Sequence, residues 1–310
     1  MNHHSPVLLA ECLEALAIKA DGVYADATFG RGGHSLAMLE HIGSEGRLIA
    51  IDRDATAIEY GKTHFAEQHQ QLQLIKSEFA QLGDVIAQYA PSGLADGVLL
   101  DLGVSSPQLD NAERGFSFRN DGPLDMRMDA SAGQSAAQWL AKADVQEIRN
   151  VIKTYGEERF AHRIAAAIVK LRQEKPLTRT RELAACVESV VPRRKEQRIH
   201  PATKTFQGIR IYINDELGQL RKVLDDMLVR LAVGGRLAVI SFHSLEDRIV
   251  KRFMRDQARS DIMYSGLDYV PDEAKARLKL VGKQIRATDE EIEVNPRSRS
   301  AVLRVAERLA

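Results

Sequence analysis

The chain of 310 residues is 44% hydrophobic and 28% charged, enough apolar material to bury a core in one large domain or two modest ones. Lys plus Arg and Asp plus Glu both number 43, so the net charge is zero; a bulk polycation is excluded and any nucleic-acid contact must come from local patches. Only Cys12 and Cys186 occur, too few for a disulfide framework or a thiolate metal cluster, which fits a reducing compartment.

The amino-terminal MNHHSPVLLAECLEAL carries no basic leader, and Glu11 and Glu14 interrupt its apolar residues. No stretch reaches the roughly 18 uncharged apolar residues that span a bilayer, so a soluble cytoplasmic protein without a membrane partner is expected. The pattern then predicts strands over 22–27 (GVYADA), 47–52 (RLIAID), 72–76 (LQLIK) and 97–102 (GVLLDL), with helices over 35–42, 55–66 and 79–89 between them. Near-continuous apolar strands alternating with helices predict a parallel sheet covered on both faces, an α/β fold.

From Pro107 the rhythm changes. A glycine-rich, charged segment over 114–133 leads into helical patterns at 135–142, 144–154, 157–173 and 180–190 with no strand between them. This predicts a core over 1–106, an all-helical insert over 107–212, and the rest of the core over 213–310. One long amphipathic helix is expected over 206–231, with Gly234-Gly235 as its C-cap. A buried strand over 236–242 (RLAVISF), a helix over 244–257 and a final strand over 300–309 complete the sheet.

In such a sheet, ligands bind beyond the carboxyl ends of the strands, at the switch point beside the first strand. The loop after that strand reads FGRGGHS, in which Gly30, Gly32 and Gly33 let backbone approach a ligand and adopt positive φ. Asp52 ends the second strand, placed to accept hydrogen bonds from both hydroxyls of a ribose. Both dinucleotides and S-adenosylmethionine use this geometry. A dinucleotide fingerprint wants a third glycine where Ser35 stands, and Asp26 near the loop repels a pyrophosphate but suits a sulfonium and an amino group, so S-adenosylmethionine fits better.

Asp101 ends the fourth strand and runs into GVSSP. Methyltransferases that act on the amino groups of bases place a short polar-proline turn here. The exocyclic amine of cytosine is a poor nucleophile because its lone pair is delocalised into the ring, until acceptors hold its N–H groups. Ser105 and Ser106 hydroxyls and main-chain carbonyls ahead of the stiff Pro107 are such acceptors, and no metal is needed. After the strand at 236–242, Ser241 and His243 either line the base pocket opposite this turn or, for His243, cap the following helix. A hydrolase triad of Ser241, His243 and Asp247 is disfavoured because no G-x-S-x-G elbow is present.

Eight blocks in order, HSPVLLAE, DATFGRGGHS, AIDRD, DLGVSSPQLD, RGFSF, GPLDMRMD, YGEERFAHRIA and ISFHSLEDRIVK, give the chain a resemblance to the bacterial RsmH (MraW) family over essentially its whole length. The resemblance implies a Rossmann-like class I methyltransferase sheet with an inserted helical subdomain. It also implies S-adenosylmethionine-dependent N4-methylation of a cytidine in 16S rRNA, in the decoding centre of the small ribosomal subunit. By the same resemblance Gly32, Gly33 and His34 hold the methionine part of the cofactor, Asp52 the ribose and Phe79 the adenine, while Asp101 and Gln108 complete the pocket. The SSP turn departs from the Pro-Pro-aromatic form of many amino-methyltransferases: Gln108 and Leu109 stand where the second proline and aromatic would be.

RNA contact is expected from the basic segment 192–210, with Arg193, Arg194, Lys195, Arg198, Lys204 and Arg210 against Glu196 alone. A second candidate surface is Arg114, Phe116, Phe118 and Arg119, whose loop could close as a lid. The target base must be unpaired or flipped to reach a sulfonium. The expected state is a monomer or a homodimer. A nicotinamide dehydrogenase and a non-catalytic RNA-binding factor are the competing readings.

Overall fold

The computed structural model describes residues 6–192, 199–260, 263, 269 and 271–309. The chain forms two compact units, Met1–Gly103 with Leu217–Ala310, and Val104–Glu216. The first contains α1 (Leu9–Leu16), β1 (Val23–Asp26), α2 (Gly33–Leu39), β2 (Arg47–Asp52), α3 (Ala55–Gly61), β3 (Leu72–Lys76), α4 (Leu82–Tyr89) and β4 (Ala95–Asp101). The second holds α5 (Ser106–Asp110), α6 (Ala136–Lys142), α7 (Val145–Tyr155), α8 (Ala161–Glu174), α9 (Thr180–Val190) and α10 (Thr203–Asn214). The chain then completes the first unit with α11 (Glu216–Arg230), β5 (Leu231–Ser241), α12 (Ser244–Gln257), β6 (Leu278–Leu280), β7 (Ile285–Arg286), α13 (Asp289–Val294) and β8 (Val302–Arg308).

Among the described residues the sheet of the first unit has eight strands, ordered β3-β2-β1-β4-β5-β8-β6, with β7 also on β8. The first five pair in parallel and β6, β7 and β8 add antiparallel. Alternate strand residues face opposite cores. Ile49, Ile51, Val98, Leu100 and Val239 pack with Leu82 and Ile86 of α4, Leu220 and Leu224 of α11 and Val250 of α12. Leu48, Ala50, Leu99 and Ile240 face the other way, onto Cys12 and Leu16 of α1 and Met38 of α2. Burial on both faces explains why these strands read as apolar runs. The strand order reverses between β1 and β4, which run parallel, so a crevice opens at the carboxyl ends of the strands, where Asp26 of β1, Asp52 of β2 and Asp101 of β4 stand.

The single helix expected over 206–231 is two helices. Asp215 adopts left-handed φ 47°, ψ 40° and its N–H bonds back to Ile211 and Tyr212, which ends α10 before α11 begins. Apolar periodicity continues through the break and conceals it; a short acidic side chain is among the few that accept this conformation. Gly234 and Gly235 are not a C-cap but lie inside β5, where the register with β4 shifts between Ala95 and Gly97. Gly234 takes φ +79°, and a Cβ on Gly235 would sit 2.8 Å from the Ala232 carbonyl and 3.0 Å from that of Ala95. Only glycine passes that bulge.

The second unit is helical around its own core, which includes Phe116, Leu124, Met126, Trp139, Ile148, Ile164, Leu183 and Phe206. The segment expected as a stacking surface and lid is part of this core. Phe116 is buried, Phe118 packs against Phe206 and His200, and the Arg114 guanidinium donates to the carbonyls of Arg127 (3.1 Å) and Met128 (2.8 Å). Phe116 therefore offers no face to a base, and the pinned segment is no free lid. Arg210 is likewise taken: its Nε and one terminal nitrogen donate to Glu216 at 2.8 Å each, with both side chains largely buried. Arg193, Arg194, Lys195 and Arg198 lie outside the described residues.

Candidate cofactor and active site

The crevice of the first unit is organised by its acids. Asp26 is buried; its Oδ1 accepts from the Thr28 N–H (2.9 Å) and its Oδ2 from the Ser35 hydroxyl (2.6 Å). The Thr28 hydroxyl in turn accepts the Asp101 N–H at 2.8 Å. Both Asp26 oxygens are thus engaged in holding the glycine loop to β1, and Thr28 ties that loop to β4. The sequence aimed Asp26 at a sulfonium; the structure makes it the loop's anchor. Asp52 serves from the other side, accepting the N–H of Gly30 (2.8 Å) and of Asp54 (2.8 Å) on separate oxygens. Each of these oxygens keeps a lone pair for a further donor.

Gly30 and Gly32 adopt φ +56° and +78°, and a Cβ on Gly32 would fall 2.9 Å from the Phe29 ring. A Cβ on Gly33 would meet Pro6 at 2.5 Å, so the loop closes only with glycine there. His34 is buried; its Nε2–H donates to the Val7 carbonyl at 3.0 Å, leaving Nδ1 turned to Asp101 Oδ2 at 3.6 Å. Asp101 Oδ1 is buried without a hydrogen-bond partner among the described residues. Burial pushes the Asp101 carboxyl up to about 6, partly opposed by His34, and raises Asp52 to about 6 against its two N–H donors.

Phe79, half-buried on a short 3₁₀ turn after β3, packs along the apolar core. Ser241 ends β5 with its hydroxyl buried and without a partner among the described residues. His243 is the N-cap of α12: its Nδ1 faces the Glu246 N–H at 3.4 Å, while Glu246 Oε2 accepts the N–H groups of Phe242 (2.9 Å) and His243 (3.2 Å). Asp247 is held by Arg304 Nε at 2.7 Å, which removes the third member of any Ser241–His243–Asp247 triad.

The MraW methylase family matches residues 1–309. The chain belongs to that family. Two curated relatives, each called ribosomal RNA small subunit methyltransferase H, from Thioalkalivibrio sulfidiphilus and Alteromonas mediterranea, are 56% identical to this methylase over 308 residues. The aligned region covers 99% of this chain and 98% and 97% of theirs. Among solved structures, a rRNA methylase from Streptococcus thermophilus aligns with a TM-score of 0.44 at 12% identity, covering 100% of this chain and 99% of that one. Membership of a methylase family, 56% identity to two methyltransferases and the doubly wound, mostly parallel sheet together give a Rossmann-like methyltransferase sheet with S-adenosylmethionine as its cofactor.

The residues of the methylase fit that cofactor. Asp101 is a carboxylate raised by burial, with one oxygen lacking a partner among the described residues, and a cation placed there relieves its cost. A pyrophosphate would instead face Asp26, Asp52 and Asp101 together, which argues against the dehydrogenase reading. Ser105, Ser106, Pro107 and Gln108 belong to the second unit, where Pro107 and Gln108 lie in α5 and the Ser105 N–H donates to Gln108 Oε1 at 3.0 Å. Gln108 is therefore at least partly occupied in shaping the SSP turn. Sequence reading missed Thr28 and Glu246; the D-A-T spacing after β1 and the acid three residues after His243 are the signals that could have revealed them.

Proposed function

We propose that this methylase transfers a methyl group from S-adenosylmethionine to N4 of a cytidine in 16S rRNA of the small ribosomal subunit, acting in the cytoplasm as a monomer or homodimer. The observation that carries the reading is the 56% identity, over nearly the full length of both chains, to two proteins named as small-subunit rRNA methyltransferases. The acidic crevice supports the cofactor half.

When bound, S-adenosylmethionine supplies an electrophilic methyl on a sulfonium. Asp52 accepts the ribose hydroxyls on the lone pairs its two loop donors leave. Asp101 complements the cationic end, Gly32, Gly33 and His34 carry the methionine part, and Phe79 packs on the adenine. Asp26 and Thr28 act through the loop, as positioning residues. Ser105 and Ser106 accept hydrogen bonds from the cytosine amine, withdrawing its lone pair from the ring, and Pro107 keeps that turn stiff. The proton released on transfer passes to water. His243 fixes the start of α12, and Ser241 keeps a buried hydroxyl at the end of β5.

The test incubates the protein with methyl-labelled S-adenosylmethionine and unmodified small subunits, with naked rRNA and DNA in parallel, followed by nucleoside mass spectrometry. N4-methylcytidine from subunits is the expected product. Label on DNA or protein alone, or on none, overturns the rRNA reading.

A further inference from the structure

The segment 155–165, YGEERFAHRIA, has no role in this chemistry, yet its turn is held in one shape. A Cβ on Gly156 would lie 2.4 Å from the Lys204 carbonyl, and Glu157 takes φ 49°. The buried Glu158 accepts the Phe160 N–H at 2.8 Å. These constraints seat Phe160, half-buried, at the start of α8.

The Phe160 ring carries two guanidiniums, Arg159 with Cζ at 4.5 Å from its centroid and Arg163 at 5.7 Å. With His162 and Ala166 they line an open groove of about 530 Å³. Arg159, His162 and Arg163 are exposed, and among the described residues neither guanidinium forms an ion pair. Between Arg159 and Gln173 the sequence holds Arg159, His162, Arg163 and Lys170 and no acid, while Arg172 is turned away and donates to the Ala143 carbonyl at 2.6 Å. Lys204 adds a further ammonium, donating to the Glu157 carbonyl at 3.1 Å. Cations alone would serve any polyanion. The half-buried ring lies under the Arg159 guanidinium, and when Arg159 swings onto a phosphate the face it leaves supplies what an acidic peptide does not use: a stacking platform next to a phosphate clamp.

We propose that this groove binds a single-stranded stretch of the RNA substrate, with Arg159 and Arg163 on phosphates and Phe160 against a base. The proposal rests on the reading that the substrate is RNA. The test measures binding of a labelled, unstructured oligoribonucleotide of about 12 nucleotides to the full chain by fluorescence anisotropy across a salt series. Methylation kinetics on small subunits run in parallel.

The double variant Arg159→Gln/Arg163→Gln is expected to bind more weakly, with a salt slope lower by about 1.4, two single-strand phosphate contacts at roughly 0.7 each. Its KM for subunits rises while kcat holds. Phe160→Leu is expected to lose about tenfold in affinity with the slope unchanged. Because Phe160 also packs on the helical core, the arginine pair decides the matter if that variant melts early. An unchanged slope and KM in the double variant overturn the proposal. So does a polyglutamate peptide that displaces the oligonucleotide and binds Phe160→Leu as tightly as the parent. If the parent forms no N4-methylcytidine, the rRNA reading falls, and the anisotropy arm still decides the groove.

Discussion

Asp101→Asn separates what the buried acid costs the fold from what it gives the cofactor. A carboxyl whose folded pKa lies above its unfolded value binds its proton more tightly in the folded chain, so ionising it costs stability. That cost sets in as pH rises from 3.8 and is complete above about 6. The gap between 3.8 and about 6, at 1.36 kcal/mol per pH unit, corresponds to about 3 kcal/mol. A quarter of the side chain is exposed, and solvent screening reduces this to about 1–2 kcal/mol. Asparagine has nearly the same shape, does not titrate, and can donate to the His34 Nδ1 that Asp101 faces at 3.6 Å. Denaturant unfolding of the ligand-free protein should show Asp101→Asn more stable than the parent by that amount at about pH 8, with the gain gone near pH 4. Calorimetric binding of S-adenosylmethionine should show the opposite. The variant binds more weakly at about pH 8, and its loss of log affinity per pH unit below 6 is smaller by one than the parent's. Equal stability differences at both pH values, together with equal binding slopes, would refute the assignment of Asp101 as a strained acid awaiting a cation.

Gly33→Ala brings a Cβ to 2.5 Å from Pro6, so cofactor affinity should fall at least about tenfold by equilibrium dialysis; parent affinity would show that the loop tolerates the change. His243→Ala should lower stability by about 1 kcal/mol through loss of the N-cap and slow methyl transfer with little change in cofactor affinity, whereas His243→Asn, a good capping residue, should restore stability. If His243→Asn also restores turnover, the role of His243 is to position α12; if turnover alone stays low, its imidazole acts in the site. Glu147 Oε1 accepts from both Trp139 Nε1 (2.7 Å) and Tyr212 (3.0 Å), so Glu147→Leu should destabilise the helical unit by about 2–3 kcal/mol. The chain's one tryptophan, Trp139, reports that unfolding by its own fluorescence, and an unshifted midpoint would count against the network.

The sequence by itself determined the elements whose pattern is local. β2, β3, α9 and α12 are read at the residues they occupy, because strand burial, helical periodicity and termini leave their signature within a few neighbours. Asp52 and Asp101 are legible for the same reason: each is the acid at which an apolar run stops. Tertiary structure alone decided the rest. The φ of Asp215 is invisible to a periodicity that runs through it, and Gly234-Gly235 became a bulge because the carbonyl of Ala95, far off in sequence, lies against it. Likewise Phe116 looked like a base platform, but folding buries it in one core with Leu124, Trp139 and Phe206. The Thr28 link to Asp101 spans 73 residues and the His34 bond to Val7 spans 27. A side chain's chemistry is written at its own position, but its partners, its burial and hence its protonation are set by residues that only the folded chain brings within hydrogen-bonding distance.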